Sequence, residues 1–265
     1  MATTPRRTVQ VFKVDPQLHH PFTCIVAGPS GSGKSTFVKN LFVHKNKYIH
    51  QKIDYIYIFI GTSPEANPEL NFLKKQANDP EKVYIFNCVE GGMFVDGVKK
   101  ADEYFRIFIK RLIENRKGEK GVLIFDDLMN ELGDMSFLVD LFTKYSSHNN
   151  ISVILITQNI FYRGKNPSQN MTLYRNTHML VIFENYLDGT ALNTIASRLS
   201  TDSANAKKAL KEMLRAILKE YRYVVIRGDF KTPDSLRFTS DYFTHVENPL
   251  DGKFVSLFTA FALED

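Results

Sequence analysis

The segment Gly28–Thr36 (GPSGSGKST) has the residue types and spacing of a phosphate-binding loop, G-x-x-x-x-G-K-[ST]. It follows an apolar run, Phe22–Ala27, and opens a helical pattern over residues 36–44. Glycines let successive backbone N–H groups face a phosphate chain, the lysine reaches the β- and γ-phosphates, and the hydroxyl after it binds Mg²⁺. We predict a nucleotide site here; a Gly/Ser-rich turn with a surface lysine is the alternative. The predicted binding residues are Gly28, Pro29, Ser30, Gly31, Ser32, Gly33, Lys34, Ser35 and Thr36.

Two carboxylates follow a second apolar run, Val122–Phe125. Side chains at the carboxyl end of a parallel strand lie where open α/β sheets bind ligands. We therefore predict that Asp126 holds Mg²⁺ together with Ser35, and that Asp127 orients or deprotonates the attacking water. A helix N-cap is the alternative for either aspartate. Asp is shorter than the Glu that many such NTPases carry at the second position, so Glu131 is a fallback base.

A third apolar run, residues 151–156, ends in Thr-Gln-Asn. The amide of Gln158 is predicted to contact the γ-phosphate or the water, and capping of a turn is the alternative. Transition-state charge on a transferring phosphate favours a delocalised cation, which a neighbouring subunit could supply. Arg175 and Arg163 are the candidates, and either could instead be a surface arginine.

Short apolar runs alternate with amphipathic stretches along the chain, which predicts a mostly parallel sheet with helices on both faces. Continuous rather than alternating apolar strands favour burial of both sheet faces. We predict one P-loop ATPase domain over residues 1–265, with a core at about 20–240, an N-terminal arm over 1–19 and a C-terminal tail over 241–265. The predicted strands are 22–27, 53–60, 83–86, 122–125, 151–156, 179–183 and 221–226, and the predicted helices are 36–44, 102–114, 135–145 and 203–220.

Composition excludes several classes of protein. With 43% hydrophobic and 24% charged residues, the chain can bury a large core. No apolar run approaches the length of a membrane span, and residues 1–9 carry no secretory signal pattern. The two cysteines, Cys24 and Cys88, form no metal motif and favour a reducing compartment.

The net charge of the chain is +5, and positive charge is in excess in two stretches, residues 99–120 and residues 198–231. Residues 198–231 hold nine Lys/Arg and four Asp/Glu, whereas residues 232–265 hold two and six. Four cations spaced four apart form one ridge of the predicted helix, with a fifth beside it. Such a ridge can follow a DNA backbone through phosphate contacts without reading bases, and an ordinary solvated helix face is the alternative. These residues, called the basic ridge below, are Lys207, Lys208, Lys211, Arg215 and Lys219.

Taken together, the motifs resemble the genome-packaging ATPases of large double-stranded DNA viruses, in the FtsK/HerA-type branch of P-loop NTPases. The resemblance is strongest to the forms in Polinton/Maverick elements, adintoviruses and virophages, which are related to the poxvirus packaging ATPase. The segments that carry it are FTCIVAGPSGSGKST at 22–36, IFDDLM at 124–129, LFTKYSSHNNISVILITQNIF at 141–161, YRNTHMLVIF at 174–183 and YRYVVIRGDFKTPDSLRF at 221–238.

The resemblance implies a RecA-like core and a homo-oligomeric ring, a pentamer or hexamer, that uses ATP and Mg²⁺ to push duplex DNA into a preformed capsid. It implies a capsid vertex component as partner and no membrane. The expected location is inside the host cell, as a soluble protein at sites of virion assembly, with retention in the virion as an option. The resemblance implies that Lys34 and Ser35 bind the phosphates and Mg²⁺, that Asp126 and Asp127 form the acidic pair, and that Gln158 is the sensor of hydrolysis. The run Glu184–Asp188 departs from a Lys-Asn-Pro-Arg-Asp pattern common in relatives, so two basic positions are lost.

Two other functions remain open at this point. The phosphate loop is also similar to that of guanylate kinases, which predicts phosphate transfer to a nucleoside monophosphate; however, no arginine-bearing lid stands between Asp127 and Gln158. A nucleotide-gated interaction module without hydrolysis is the third option, and the intact acidic pair argues against it.

Overall fold

The computed structural model describes residues 17–43, 45–61, 68–76, 82–88, 98–128, 136–161, 167–200, 203–229, 232, 237–239 and 242–243. The strands are β1 (Thr23–Ala27), β2 (Tyr55–Ile60), β3 (Val83–Asn87), β4 (Gly121–Asp126), β5 (Ile151–Thr157), β6 (Met179–Phe183), β7 (Tyr223–Arg227) and β8 (Phe238–Thr239).

The helices alternate with these strands. They are α1 (Lys34–Val43), α2 (Lys45–Tyr48), α3 (Pro68–Gln76), α4 (Val98–Glu114), α5 (Ser136–Asp140), α6 (Pro167–Arg175), α7 (Gly189–Leu199) and α8 (Ala204–Tyr221). Helix α5 continues through a π-helical stretch, Leu141–Tyr145, into a last turn at Ser146–His148.

The strands of the described chain form one eight-stranded sheet in the order β3-β2-β4-β5-β1-β6-β7-β8. Strands β1 to β6 pair in parallel, and β7 and β8 are antiparallel to their neighbours. Strand β1 lies between β5 and β6, with Ala27 in register with Thr157, and Asp126 of β4 is in register with Ile156. The carboxyl ends of β1, β4 and β5 therefore meet at one edge of the sheet.

Both faces of the sheet are covered, which confirms the prediction drawn from the continuous apolar strands. On one face, Phe105 and Ile109 of α4 and Leu214 of α8 pack against the sheet. On the other face, Phe37 and Leu41 of α1 do so. Both cysteines are buried.

Each predicted strand is present, with boundaries shifted by at most two residues. The pattern over residues 135–145 predicted one helix; the structure extends it to His148 through the π-helical stretch. Helices α2, α3, α6 and α7 and strand β8 are not among the predicted elements. Helix α2 and strand β8 are very short, and α3 and α6 have few apolar residues; the apolar residues of α7 do have helical spacing, and that signal was overlooked. Among the described residues, no helix has the length and apolarity that crossing a membrane requires.

Candidate nucleotide site

The loop Gly28–Gly33 joins β1 to α1 at the edge where β1, β4 and β5 end. The loop is tied to the sheet by the Gly28 N–H, which donates to the carbonyl of Thr157 (3.2 Å), and it feeds directly into α1, where the Phe37 N–H donates to the Gly33 carbonyl (2.8 Å). The first N–H groups of α1 are therefore directed at the space in front of the loop, where they can face an anion.

Two glycines make this loop possible for different reasons. A Cβ on Gly28 would lie 2.5 Å from the Cβ of Phe183, so only glycine allows the loop to pack this closely on β6. Gly33 has φ of +103°, a conformation that residues with a side chain rarely adopt. The loop geometry thus depends on glycine at positions that the motif specifies.

The ammonium group of Lys34 folds back over the loop. Its Nζ donates to the carbonyls of Gly28 (2.8 Å) and Pro29 (2.9 Å). Burial lowers the pKa of Lys34, and the charges of Asp126 and Asp127 oppose that effect. A phosphate chain entering the loop would give this partly desolvated cation an anionic partner in place of two carbonyls.

A cavity of about 380 Å³ lies in front of the loop. It brings together Lys34 and Ser35 with three groups that are distant in sequence: Asp126, Asp127 and Gln158. Asp126 is buried at the end of β4, whereas Asp127 and Gln158 are exposed to the cavity mouth. The remaining residues around the cavity are Ser30, Gly31, Gly33, Thr36, Pro68, Glu69 and Ile156.

Asp127 and Gln158 are in direct contact. The Nε2 group of Gln158 donates to Oδ1 of Asp127 (3.1 Å). Asp127 has φ of +54°, in the left-handed region, which aspartate tolerates better than most residues. This turn ends β4 and directs the chain away after the acidic pair.

The cavity fits a magnesium nucleotide by the chemistry of its groups. The Ser32 hydroxyl is buried without a hydrogen-bond partner in the described part of the chain, and it lies between two glycines that line the cavity. The Ser35 hydroxyl and the Asp126 carboxylate are oxygen donors, the type that Mg²⁺ prefers, and Mg²⁺ commonly takes only one or two protein ligands. No cluster of three or more metal-binding His, Cys, Asp or Glu occurs among the described residues.

One further predicted catalytic residue, Arg175, lies away from this cavity. Arg175 is exposed at the end of α6, just before the amino end of β6. Its neighbour Asn176 accepts, through its carbonyl, a hydrogen bond from the hydroxyl of Thr23, the first residue of β1. Arg175 therefore lies at the opposite edge of the sheet from the cavity of its own chain. Arg163 and Glu131 lie outside the described residues.

The basic ridge lies on α8, on the side away from its buried residues Leu210, Leu214 and Ile217. Three members are exposed and two, Lys207 and Lys211, are half-buried. Within the described part of the chain, no ion pair involves any of the five. The charges of Lys208, Arg215 and Lys219 are thus presented to solvent.

Sequence reasoning missed one acidic residue of the cavity. Glu69 lies in the first turn of α3 and lines the cavity with Pro68. Its carboxylate forms an ion pair with the ammonium group of Lys39 on α1. A Pro-Glu pair is a common start of a helix, and this was the available signal, but nothing in the sequence places α3 beside the phosphate loop.

Fold and site together define a P-loop NTPase with a RecA-like α/β core. The model of the family described as poxvirus A32 protein matches residues 9–181, and the chain belongs to this family. No match was found among curated proteins.

Solved structures with a similar fold include the genome packaging NTPase B204 from Sulfolobus turreted icosahedral virus 2, in complex with ATP-gammaS. It is 16% identical, with a TM-score of 0.50, over 83% of this chain and 96% of that one. A KaiC-like protein from Pyrococcus horikoshii OT3 is 14% identical, with a TM-score of 0.40, over 64% and 76% of the two chains. At these identities the likeness to B204 concerns the fold, and the second match is too distant to add to it.

Proposed function

We propose that this protein is the ATPase of a viral genome-packaging motor, which hydrolyses ATP to move double-stranded DNA into a preformed capsid. The observation that carries the proposal is the cavity in which Lys34, Ser35, Asp126, Asp127 and Gln158 meet. Membership of the poxvirus A32 family and the fold shared with a genome packaging NTPase support it. The closeness to Polinton, adintovirus and virophage forms, and a single ATPase domain spanning the chain, stay predictions.

In this mechanism the loop N–H groups and Lys34 bind the β- and γ-phosphates. Ser35 and Asp126 hold Mg²⁺, which supplies charge neutralisation of the phosphates when bound. Asp127 and Gln158, whose side chains are hydrogen-bonded to each other at the cavity mouth, orient the attacking water. Lys34 then stabilises the charge that develops as the terminal phosphate leaves.

We further propose that the site is completed by a neighbouring subunit in a homo-oligomeric ring. Arg175 lies at the opposite edge of the sheet from the cavity of its own chain and does not reach it. Because it is exposed, it can approach the site of a neighbouring subunit. An arginine supplied in trans typically contributes about 10³ to 10⁵ in turnover. The basic ridge is proposed to contact the DNA backbone. A capsid vertex component is proposed to anchor the ring, and the ring is proposed to assemble inside the host cell.

The test is steady-state ATP hydrolysis by the purified protein, with and without duplex DNA, with Lys34→Ala as the blank. Stimulation by DNA that disappears with added salt supports the motor, because phosphate contacts weaken steeply with salt. Transfer of phosphate to a nucleoside monophosphate without a DNA effect would support a kinase instead. Nucleotide binding without turnover, even with DNA and a capsid component added, would leave an interaction module.

A further inference from the structure

The nucleotide cavity contains one more carboxylate than the proposed mechanism uses. Within the described residues, three acids line it: Asp126, Asp127 and Glu69. Asp126 is assigned to Mg²⁺, and one oxygen of Asp127 accepts a hydrogen bond from Gln158. Glu69 enters from a different element, the first turn of α3.

Glu69 is held in place by α1, the helix that begins at the phosphate loop. Lys39 lies one turn after Ser35 on α1 and forms the ion pair with the Glu69 carboxylate. Both side chains are partly buried, with 20% of Lys39 and 35% of Glu69 exposed. The pair therefore joins a residue that lines the cavity to the helix that begins at the phosphate loop.

The Lys39–Glu69 pair also balances the negative charge that Glu69 brings to the nucleotide cavity. A third carboxylate near a polyphosphate would repel it, and each such charge lowers nucleotide affinity unless a cation compensates. Lys39 supplies that cation. Of the three carboxylates that line the cavity in the described chain, Glu69 is the one assigned neither to Mg²⁺ nor to the hydrogen bond with Gln158.

We propose that Glu69 is the general base of hydrolysis and that Lys39 is its positioning residue, an inference that rests on the proposed ATPase function. The Glu69 carboxylate takes a proton from the attacking water as that O–H bond breaks. The water oxygen forms a bond to the γ-phosphorus, and the bond from that phosphorus to the bridging oxygen breaks, leaving its electron pair on ADP. Asp127 and Gln158 orient the water and do not take its proton.

The experiment uses the full-length protein and compares Glu69→Gln, Lys39→Met and the double variant. Each is measured for kcat and KM of ATP hydrolysis, for affinity toward ATP-gammaS, and for thermal unfolding. Glu69→Gln is expected to lower kcat by about 10²- to 10⁴-fold, the usual contribution of a general base, with affinity within about threefold of wild type. Lys39→Met is expected to raise KM and weaken ATP-gammaS binding, because the unpaired carboxylate repels the phosphates, while kcat falls less. In the double variant the affinity returns toward wild type and kcat stays at the Glu69→Gln level.

Asp140→Asn is the matched control. Asp140 of α5 (25% exposed) pairs with Arg106 of α4 (26% exposed) and also with Lys144 (3.6 Å), and these pairs lie outside the cavity. Their loss should change the melting temperature as much as Glu69→Gln does and leave kcat unchanged. If the wild type turns over and Glu69→Gln keeps more than about a third of its kcat, Glu69 is not the base. If the wild type shows no turnover under any condition, the ATPase proposal fails, and the role of Glu69 fails with it.

Discussion

Gln158 Nε2 lies 3.1 Å from Asp127 Oδ1, so the residue after β5 is hydrogen-bonded to the residue after β4 at the mouth of the nucleotide cavity. The two side chains come from neighbouring strands 31 positions apart in sequence. A substitution at either residue therefore removes a hydrogen bond of the other, and the pair is expected to act as one unit on the attacking water.

We predict that Asp127→Asn and Gln158→Ala each slow ATP turnover by roughly 10- to 100-fold, with nucleotide affinity nearly unchanged. Because they act as a unit, the double variant should be little slower than the slower single variant. Steady-state kinetics on the four proteins of this cycle measures the coupling. Fully additive losses in log kcat would show that the two side chains act independently.

Lys34→Ala is predicted to abolish measurable ATP hydrolysis and to weaken nucleotide binding by at least about tenfold. Removing the ammonium group leaves the phosphates without their compensating charge. The loss is large because this cation is already partly desolvated at the loop. The measurement is ATP-gammaS affinity together with turnover. Lys52→Ala, at an exposed lysine outside the cavity, is the control and should behave as wild type.

Replacing Lys208, Arg215 and Lys219 by alanine should weaken binding to duplex DNA of any sequence. The slope of log affinity against log salt should also fall by about one for each phosphate that the variant no longer neutralises. A variant lacking Lys47, Lys52 and Lys117 removes the same charge from other exposed positions. Equal weakening in the two variants would contradict a specific role for the basic ridge and indicate a general charge effect.

His20 should make stability fall as pH drops below its ordinary pKa of 6.5. Burial lowers the pKa of His20, and its two ring nitrogens contact the Ser152 hydroxyl (2.7 Å) and the Asn150 carbonyl (2.9 Å). The unfolded chain then binds a proton that the folded chain does not, so acid favours unfolding and stability returns as pH rises. Melting temperatures between about pH 5 and 8 test this.

His20→Gln is the informative comparison for that pH series. It should be less stable at neutral pH, since it loses a buried hydrogen-bonded ring, but its melting temperature should change less on acidification. A wild-type profile that is as flat as that of the variant would remove His20 as the cause.

The sheet and the phosphate loop could be predicted from sequence because each is encoded locally. Runs such as Val122–Phe125 are apolar throughout, and buried parallel strands require that pattern. The loop motif fixes its own backbone through glycine, so Lys34 and Ser35 could be placed before any contact was known.

The residues that escaped prediction depend on contacts between distant elements. Glu69 belongs to the cavity because α3 packs beside α1, and the Lys39–Glu69 ion pair joins positions 30 apart. Arg198 of α7 lies over the rings of Phe161, in the turn after β5, and Tyr174 of α6, and no periodicity in the sequence indicates that contact. Both contacts arise from packing geometry, which a single sequence expresses weakly.

The position of β1 has a consequence for the order in which the chain folds during synthesis. The first strand of the described chain, β1, is central in the sheet, and its two neighbours, β5 and β6, are made more than 120 residues later. Until then the mostly apolar β1 and the loop after it lack their partners in the sheet, and such late, long-range pairings fold slowly and risk aggregation. A nascent chain that ends before Thr157 therefore cannot complete a binding-competent loop, and folding of this protein should depend on protection of its first strand until the second half has left the ribosome.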